Sequence, residues 1–422
     1  MNRTQAAALI PEPAEPAEPV TLPATTEPVS LSRTGENLVA GNLRAFITLM
    51  VLAHHAVLAY HAQAPAPPAS LVAQPRWWQA FPIVDSQRWG GFGLLVGFND
   101  VFFMSLMFFL SGLFVWASLK RQGSGAFLRN RGLRLGLPFV VAAAVIAPLA
   151  YYPAYLQTGA APGLSGFWSQ WKSLGHWPAG PAWFIWVLLA FDAVAAGLFL
   201  LMPRWGDALG RLASGARRHP ALFFGLLVAV SAAAYIPMEL VFNPFAWTSF
   251  GPFFFQTSRL LHYAVYFLAG LAVGAYGLEK GLLAPDGALA RRWPLWLSVA
   301  LPAFILIIAI VIMATASKTP SRSLEIIGGL SFTLSCAASS FAFLALFSRF
   351  GRSTGRIFES LRRNAYGMYL VHYAFVSWLQ YSLLKAPLSG LAKGTVVFLG
   401  AVALSWAATA VLRRIPGVAR VI

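Results

Sequence analysis

The first apolar segment of the chain carries side chains suited to acid–base and phosphate chemistry. "NLRAFITLMVLAHHAVLAYH" (42–61) holds Arg44 at one end and His54, His55 and His61 toward the other. Arg44 and His55 are close to three helical turns apart, so both project from one face of a helix, with a rise of roughly 16 Å between them. Imidazole accepts a proton near neutral pH, and guanidinium binds phosphate. The spacing therefore predicts a buried proton acceptor above a phosphate anchor at the membrane rim.

The neighbouring histidine leaves the identity of the base open. His54 is rotated by about 100° from the face of His55 and is placed to bond a neighbouring helix. A single histidine in a membrane segment is often a satisfied structural group, but the aligned Arg44 favours a functional interpretation of His55.

Other polar residues interrupt apolar segments. Asp100 is a candidate either to orient His55 or to pair with a basic group. The segment "NAYGMYLVHYAF" (364–375) places Tyr366, Tyr369 and His372 broadly along one side of a helix. A polar stripe on an apolar helix is expected to line the cavity of a helix bundle. His372 either orients other groups or packs structurally.

The composition explains what surrounds these residues. Of 422 residues, 58% are hydrophobic and only 11% are charged, whereas about a quarter of a soluble protein is charged. The chain is therefore predicted to be an all-α integral membrane protein. A net charge of +17 would suggest a nucleic-acid partner in a soluble protein, but here the basic residues lie between apolar blocks. We expect no nucleic-acid partner.

Residues 1–41 differ from the rest. "PEPAEPAEPVTLPATTEPVS" has no aromatic residue and no apolar run, so it cannot bury enough surface to fold. We predict a short disordered cytoplasmic tail at 1–41 and a membrane domain at 42–422.

Ten apolar segments are each about long enough to cross a bilayer, which takes roughly 20 residues. They are 44–62, 98–119, 135–155, 181–202, 219–238, 259–278, 295–317, 324–348, 365–385 and 394–412. With a cytoplasmic N-terminus, 23 of the 31 basic residues fall on the inside, as the positive-inside rule requires. Both termini are therefore predicted to be cytoplasmic.

The predicted outer loops are rich in tryptophan. "RWWQAFPIVDSQRWGGFG" (76–93) and "FWSQWKSLGHWPAGPAW" (167–183) are typical of an aromatic belt at the membrane interface. A carbohydrate-binding face is the alternative interpretation.

Four motifs resemble the acyltransferase-3 family of integral-membrane acyltransferases. They are "LRAFITLMVLAHH", "FFMSLMFFLSGLFVWASLK" (102–120), "FLRNRGLRLGLPF" (127–139) and "NAYGMYLVHYAF", in the order of the family. Arg131 and Arg134 match its Arg-x-x-Arg pattern. "GPAWFIWVLL" (180–189), which contains Trp183, is similar to a further family stretch, and we place Trp183 in the substrate cavity with the tyrosines.

The resemblance implies transfer of an acetyl or other short acyl group from cytoplasmic acyl-CoA to a hydroxyl of a cell-envelope carbohydrate or lipid-linked glycan. It implies a bacterial-type inner membrane as the location. Arg44, Arg131 and Arg134 would hold the phosphates of CoA by charge-assisted bonds, and His55 would deprotonate the acceptor. Arg131 and Arg134, at i and i+3, share a helix face, although the positive-inside charge alone would also explain them.

Two other classes of function compete with this one. A polytopic transporter of a glycan, a lipid or a proton-coupled solute fits buried histidine and aspartate, but residues 44–202 and 219–412 show no self-similarity of the kind that transporters often have. A non-catalytic scaffold is the remaining alternative function.

The histidines lack metal-ligand spacing, so we expect no metal and no bound cofactor, with acyl-CoA as a co-substrate. The oligomeric state is left open.

Overall fold

The fold is known from a computed structural model that describes residues 37–317 and 319–422. Helix makes up 74% of it, which confirms the predicted all-α class. The first helix begins at Leu38, where the Asn37 side chain accepts a hydrogen bond from the Ala40 N–H. It thus starts within the segment assigned to the tail, of which residues 1–36 lie outside the described residues.

Sixteen α-helices and one hairpin follow each other along the described chain. The first eight are α1 Leu38–Leu58, α2 Gly91–Gly112, α3 Val115–Arg131, α4 Leu137–Val141, α5 Ala147–Gln157, α6 Leu164–Lys172, α7 Trp183–Leu201 and α8 Trp205–Leu212. After α9 Pro220–Phe242 come the antiparallel strands β1 Trp247–Phe250 and β2 Phe253–Gln256, with Trp247 opposite Gln256. The remainder are α10 Leu260–Tyr276, α11 Ala288–Arg291, α12 Trp293–Ala316, α13 Arg322–Phe350, α14 Arg356–Ser382, α15 Gly390–Leu412 and α16 Pro416–Ala419.

Nine helices of the described chain are long and apolar enough to cross a membrane. They account for nine of the ten predicted segments. The remaining segment, 365–385, lies on α14, whose first turns carry the charged residues Arg356, Glu359, Arg362 and Arg363. These charges lower its apolar character, although α14 is as long as the spanning helices around it.

The boundaries of the second and third spans differ from the prediction. The apolar run 98–119 contains a helix break at Leu113 and Phe114, and α2 begins earlier, at Gly91. The third span lies within Val115–Gln157. This run is interrupted at Gly123, whose φ of 72° is not helical, and π-helical turns at Gly132–Gly136 and Ala142–Ile146 join the second part of α3 to α4 and α5.

Helices α2 and α10 touch through their main chains. A Cβ added to Gly112 would collide with the Phe267 carbonyl oxygen, and one added to Gly270 would collide with that of Phe109. Only glycine allows this approach, so these positions fix the spacing of the two helices.

The connecting segments form two groups at opposite ends of the helices. At one end, the Asn42 side chain donates to the carbonyls of Gly351 and Ser353, and Trp116 Nε1 donates to Asp207. At the other, the Lys393 ammonium lies 2.7 Å from Asp85 Oδ2, and both side chains are buried. Each of these contacts joins segments that the charge count assigns to the same side, and the topology as a whole stays a prediction.

The tryptophan-rich segments pack on each other. Trp78, Phe167 and Trp171 are at most 2% exposed and form a small apolar core with Tyr151 at the second end of the bundle. They form neither an exposed belt nor an open sugar-binding face, although Trp77 and Trp89 remain exposed.

His176 joins the segments that contain this small core. Its ring nitrogens lie 3.2 Å from Arg76 Nη1 and 2.7 Å from Gln79 Nε2. Burial, together with the Arg76 charge, lowers the pKa of His176, so the ring stays neutral and its Nδ1 accepts the hydrogen bond from Arg76.

Candidate active site

The arrangement around His55 is set by the packing of α1 on α14. His55 Nδ1 lies 3.0 Å from the Val51 carbonyl oxygen, one turn back, and 3.1 Å from Nε2 of His372. The other ring nitrogen of His372 lies 2.7 Å from the Tyr369 carbonyl oxygen. His372 is fully buried, whereas His55 is half-buried.

These contacts determine which nitrogens carry protons. A carbonyl oxygen only accepts, so the hydrogen on the His372 ring lies on Nδ1 and its Nε2 is an acceptor. The Nδ1–H of His55 then donates to Val51 and His372, which leaves the lone pair of His55 on Nε2. A neutral imidazole with a free Nε2 lone pair and a fixed orientation is the form that a general base requires.

His54 has a different environment. Its ring stacks on Phe103 of α2, with centroids 5.3 Å apart, and its buried Nδ1 has no hydrogen-bond partner among the described residues. Nothing comparable to His372 orients it. Of the two adjacent histidines, His55 is therefore the better candidate base.

Arg44 is half-buried at the other end of the same helix face. Its Nη2 lies 3.4 Å from the Leu110 carbonyl oxygen of α2, and its guanidinium lies 5.7 Å from the ring centroid of Phe114. Thr48 and Val51, which lie between Arg44 and His55 on this face, are each 2% exposed, and Val51 belongs to the main apolar core. The face of α1 between the two residues is therefore closed by packing, which differs from the predicted open path.

The two arginines of the Arg-x-x-Arg pattern are separated by the beginning of a π-helical segment. Arg131 Nε lies 3.1 Å from Asp192 Oδ2 on α7, a carboxylate that is fully buried, whereas the Arg134 side chain is exposed. The shared helix face expected from regular α-helical spacing does not apply across the π-helical turn. Arg131 neutralises Asp192, and Arg134 remains accessible.

Proline residues connect the third span to its neighbours. A proline has no N–H, so a carbonyl about one turn before it loses its helical partner. Tyr366 of α14 donates to the Arg134 carbonyl at 2.6 Å, four residues before Pro138. Trp378 of α14 donates to the Leu149 carbonyl at 3.0 Å, four residues before Pro153.

The polar residues of α14 differ in burial, since Tyr369 and His372 are buried and Tyr366 is partly exposed. Tyr369 donates to the Pro181 carbonyl and lines a narrow pocket with Tyr373, Ala182 and Ile185. Tyr366 and His372 lie on the same helix. Trp183 contacts another set of rings, those of Phe108, Trp247 and Tyr263.

Asp100 has an arginine as its partner. Arg259 Nη2 lies 2.7 Å from Asp100 Oδ2, and Nη1 lies 3.0 Å from the Asp100 carbonyl oxygen. Of the two predicted roles, the structure gives Asp100 the pairing with a basic group, while His372 takes the orientation of His55. The signal in the sequence for this pair was a carboxylate within an apolar segment.

The described residues contain no group of three histidine, cysteine or acidic side chains that could hold a metal ion.

Comparison with known proteins identifies one family. A family model described as an acyltransferase domain matches residues 41–410, nearly the whole chain. No curated protein and no solved structure matches the chain.

Proposed function

The chain belongs to the acyltransferase-3 family, and from this membership we propose that it is an O-acyltransferase. The donor is cytoplasmic acyl-CoA carrying an acetyl or other short acyl group. The acceptor is a hydroxyl of a cell-envelope carbohydrate or lipid-linked glycan.

The pair formed by His55 and His372 carries this proposal. The 3.1 Å contact between His55 Nδ1 and His372 Nε2 leaves the lone pair of His55 on Nε2, where it can accept a proton. Activation of a hydroxyl needs a base of this kind within hydrogen-bond reach.

The transfer step follows from this geometry. The acceptor oxygen attacks the thioester carbonyl carbon while its proton passes to His55 Nε2. The C–O bond forms, the C–S bond breaks, and the thiolate leaves with the proton from the imidazolium. The base returns to its neutral form, and the products are an ester and free CoA.

The donor is proposed to enter at the end of the bundle where Arg44 and Arg134 lie. Arg134 is exposed, and guanidinium groups bind phosphate oxygens in bidentate fashion. Arg131 contributes positive charge while it neutralises Asp192. The excess of basic residues in the segments at this end supports a cytoplasmic location for it and for both termini, in a bacterial-type inner membrane.

A pair of matched variants tests the function. We expect His55→Ala to abolish the transfer of acyl groups to envelope glycan, measured as acyl mass increments by glycan mass spectrometry, with protein abundance unchanged. The control is His54→Ala, which removes the same side chain one residue earlier and should retain most of the transfer. Full activity in His55→Ala would contradict the proposed function.

A further inference from the structure

A polar cleft opens between α14 and α15, away from the candidate base. Its volume is about 340 Å³, and its lining includes Arg356, Arg363 and Arg413. Arg363 is nine residues from His372, or about two and a half turns, so the two side chains project from opposite faces of α14. The face of His372 contacts α1. The cleft is therefore separate from the candidate active site.

The charges of the cleft favour an anion. Three guanidinium groups and the carboxylate of Glu359 line it, which leaves an excess of positive charge. Glu359 pairs with Arg363, whereas the exposed side chain of Arg356 forms no hydrogen bond within the described part of the chain. Arg413 is held in place, since its Nη1 donates to the carbonyl oxygens of Arg363 and Ile422 at 2.7 and 2.8 Å. Guanidinium groups bind phosphate oxygens through charge-assisted hydrogen bonds.

The lining also contains a buried amide. Asn364 is only 7% exposed, and its Nδ2 donates to the Ser360 carbonyl oxygen at 2.8 Å. Its Oδ1 has no hydrogen-bond partner among the residues that the structure describes. An amide oxygen accepts hydrogen bonds, so the cleft suits a polar ligand that carries a hydroxyl group beside its phosphate.

The exposed face of α15 next to the cleft matches the shape of a lipid. Leu399, Trp406 and Arg413 are each seven residues apart, so they lie along one side of the helix at steps of roughly 10 Å. Leu399 is 59% exposed within the spanning segment, which ends directly before Arg413. Trp406 lies between them, lines the cleft and is 41% exposed, and tryptophan favours the headgroup level of a bilayer. An apolar tail, an interfacial ring and a phosphate site thus follow one another.

We propose that this cleft binds the phosphate group of an anionic phospholipid, whose acyl chains lie along the Leu399 side of α15. The phosphate joins the first turns of α14 to the end of α15, at the end of the bundle that we propose to be cytoplasmic. Basic pockets between helices on that side of a membrane bind anionic headgroups. The lipid takes no part in acyl transfer, so this inference is independent of the proposed function.

Lipid binding by the full chain in detergent tests the inference. Native mass spectrometry counts the lipid that stays bound after incubation with a concentration series of phosphatidylglycerol or of phosphatidylcholine. We expect phosphatidylglycerol to bind about tenfold or more tightly than phosphatidylcholine, because the cleft binds one anionic headgroup. The double variant Arg356→Gln with Arg363→Gln should lose this preference.

Two further variants separate recognition from general charge and from folding. Arg218→Gln with Arg292→Gln removes two exposed arginines that the charge count assigns to the same side but that lie outside the cleft, and should keep the preference within about twofold. Glu359→Gln removes the carboxylate that pairs with Arg363. It should tighten the binding of phosphatidylglycerol about threefold or more, a gain that a folding defect does not produce.

The contrary outcomes are equally specific. Equal binding of the two lipids, or an equal loss in the cleft variant and in the control, would overturn the inference. Weaker binding in Glu359→Gln would also contradict it, since the charge of the cleft would then not determine affinity. Displacement of phosphatidylglycerol by equal concentrations of coenzyme A or glycerol phosphate would assign the cleft to a soluble phosphate ligand instead of a lipid.

Discussion

At the residue scale, the candidate base is oriented by a second histidine instead of a carboxylate. A carboxylate beside His55 would place another negative charge in the apolar part of the membrane, whereas a neutral imidazole gives the same hydrogen bond without that cost. The imidazolium formed during transfer then has no fixed anion on its Nδ1 side. The proton is therefore expected to pass on rapidly to the departing thiolate.

His372 is predicted to act on the rate and not on binding of the donor. We expect His372→Phe, which keeps the ring but removes the acceptor nitrogen, to lower kcat about 10- to 100-fold, the effect measured for groups that orient a histidine. KM for acyl-CoA should stay unchanged. Steady-state kinetics with acetyl-CoA measures both quantities.

Two further variants identify the hydrogen bond as the cause. His372→Gln places an amide oxygen near His55 Nδ1 and should recover part of kcat. Tyr373→Phe keeps the ring contact to His55, whose centroids are 5.1 Å apart, and should leave kcat near that of the wild type. Equal kcat in all three variants would argue against a role for His372.

The sequence could predict which side chains lie close together only where both belong to one helix. Arg44 and His55 share a face because both lie on α1, and regular helical geometry relates them. His372 meets His55 across 317 residues, and Arg259 meets Asp100 across 159. Such pairings arise from helix packing, which no spacing in the sequence encodes.

At the element scale, α14 contacts the third span through a main-chain carbonyl oxygen. This oxygen lacks its usual helical donor, because proline has no N–H. Pro153 removes the donor that the Leu149 carbonyl has in a regular helix, and Trp378 of α14 donates in its place. Within a membrane no water replaces such a donor, so this bond affects where α14 can dock.

A double-mutant cycle between Pro153 and Trp378 tests this docking. Trp378→Phe should lower the free energy of unfolding by about 1 kcal/mol, since the Leu149 carbonyl loses its partner. In the Pro153→Ala variant, the main-chain N–H of residue 153 can donate to the Leu149 carbonyl. Trp378→Phe should then lower the free energy of unfolding by less. If Trp378→Phe lowers the free energy of unfolding equally in the wild type and in Pro153→Ala, the Trp378 hydrogen bond does not depend on the proline.

Trp406→Phe is the matched control for this cycle. Trp406 Nε1 donates to the Ser360 hydroxyl and not to a main-chain carbonyl. Pro153→Ala should therefore not change the cost of this substitution, which thermal or denaturant unfolding in detergent measures.

The sequence predicted the positions of the membrane-spanning helices better than the residues at which they begin, break and end. Apolar runs locate them because burial in lipid selects composition. The break at Leu113 and the π-helical turn at Ala142–Ile146 occur within apolar sequence, where hydropathy does not change. Only the prolines at 138, 148 and 153 indicated that the third span is irregular.

At the scale of the whole molecule, the asymmetry of basic residues and the grouping of the connecting segments agree. Segments that carry most of the arginines contact each other at one end, for example through Arg217 and Asp286 at 2.5 Å. The charge count assigns these contacting segments to the same side, and an added or missing span would change that assignment. The side of the membrane on which each group lies follows from the positive-inside rule and stays a prediction.

Labelling of single cysteines tests that prediction. Cys336 is the only cysteine and is fully buried, so its background labelling should be low. In intact cells an impermeant maleimide should label Lys385→Cys but not Ser214→Cys. After permeabilisation both should be labelled. The opposite pattern would reverse the proposed orientation and place the donor entrance on the wrong side for CoA.

The glycine contacts between α2 and α10 have a consequence for motion within the bundle. With main chains touching at Gly112 and Gly270, these two helices cannot come closer together at this contact. Any narrowing of the bundle during catalysis must therefore occur between other helices.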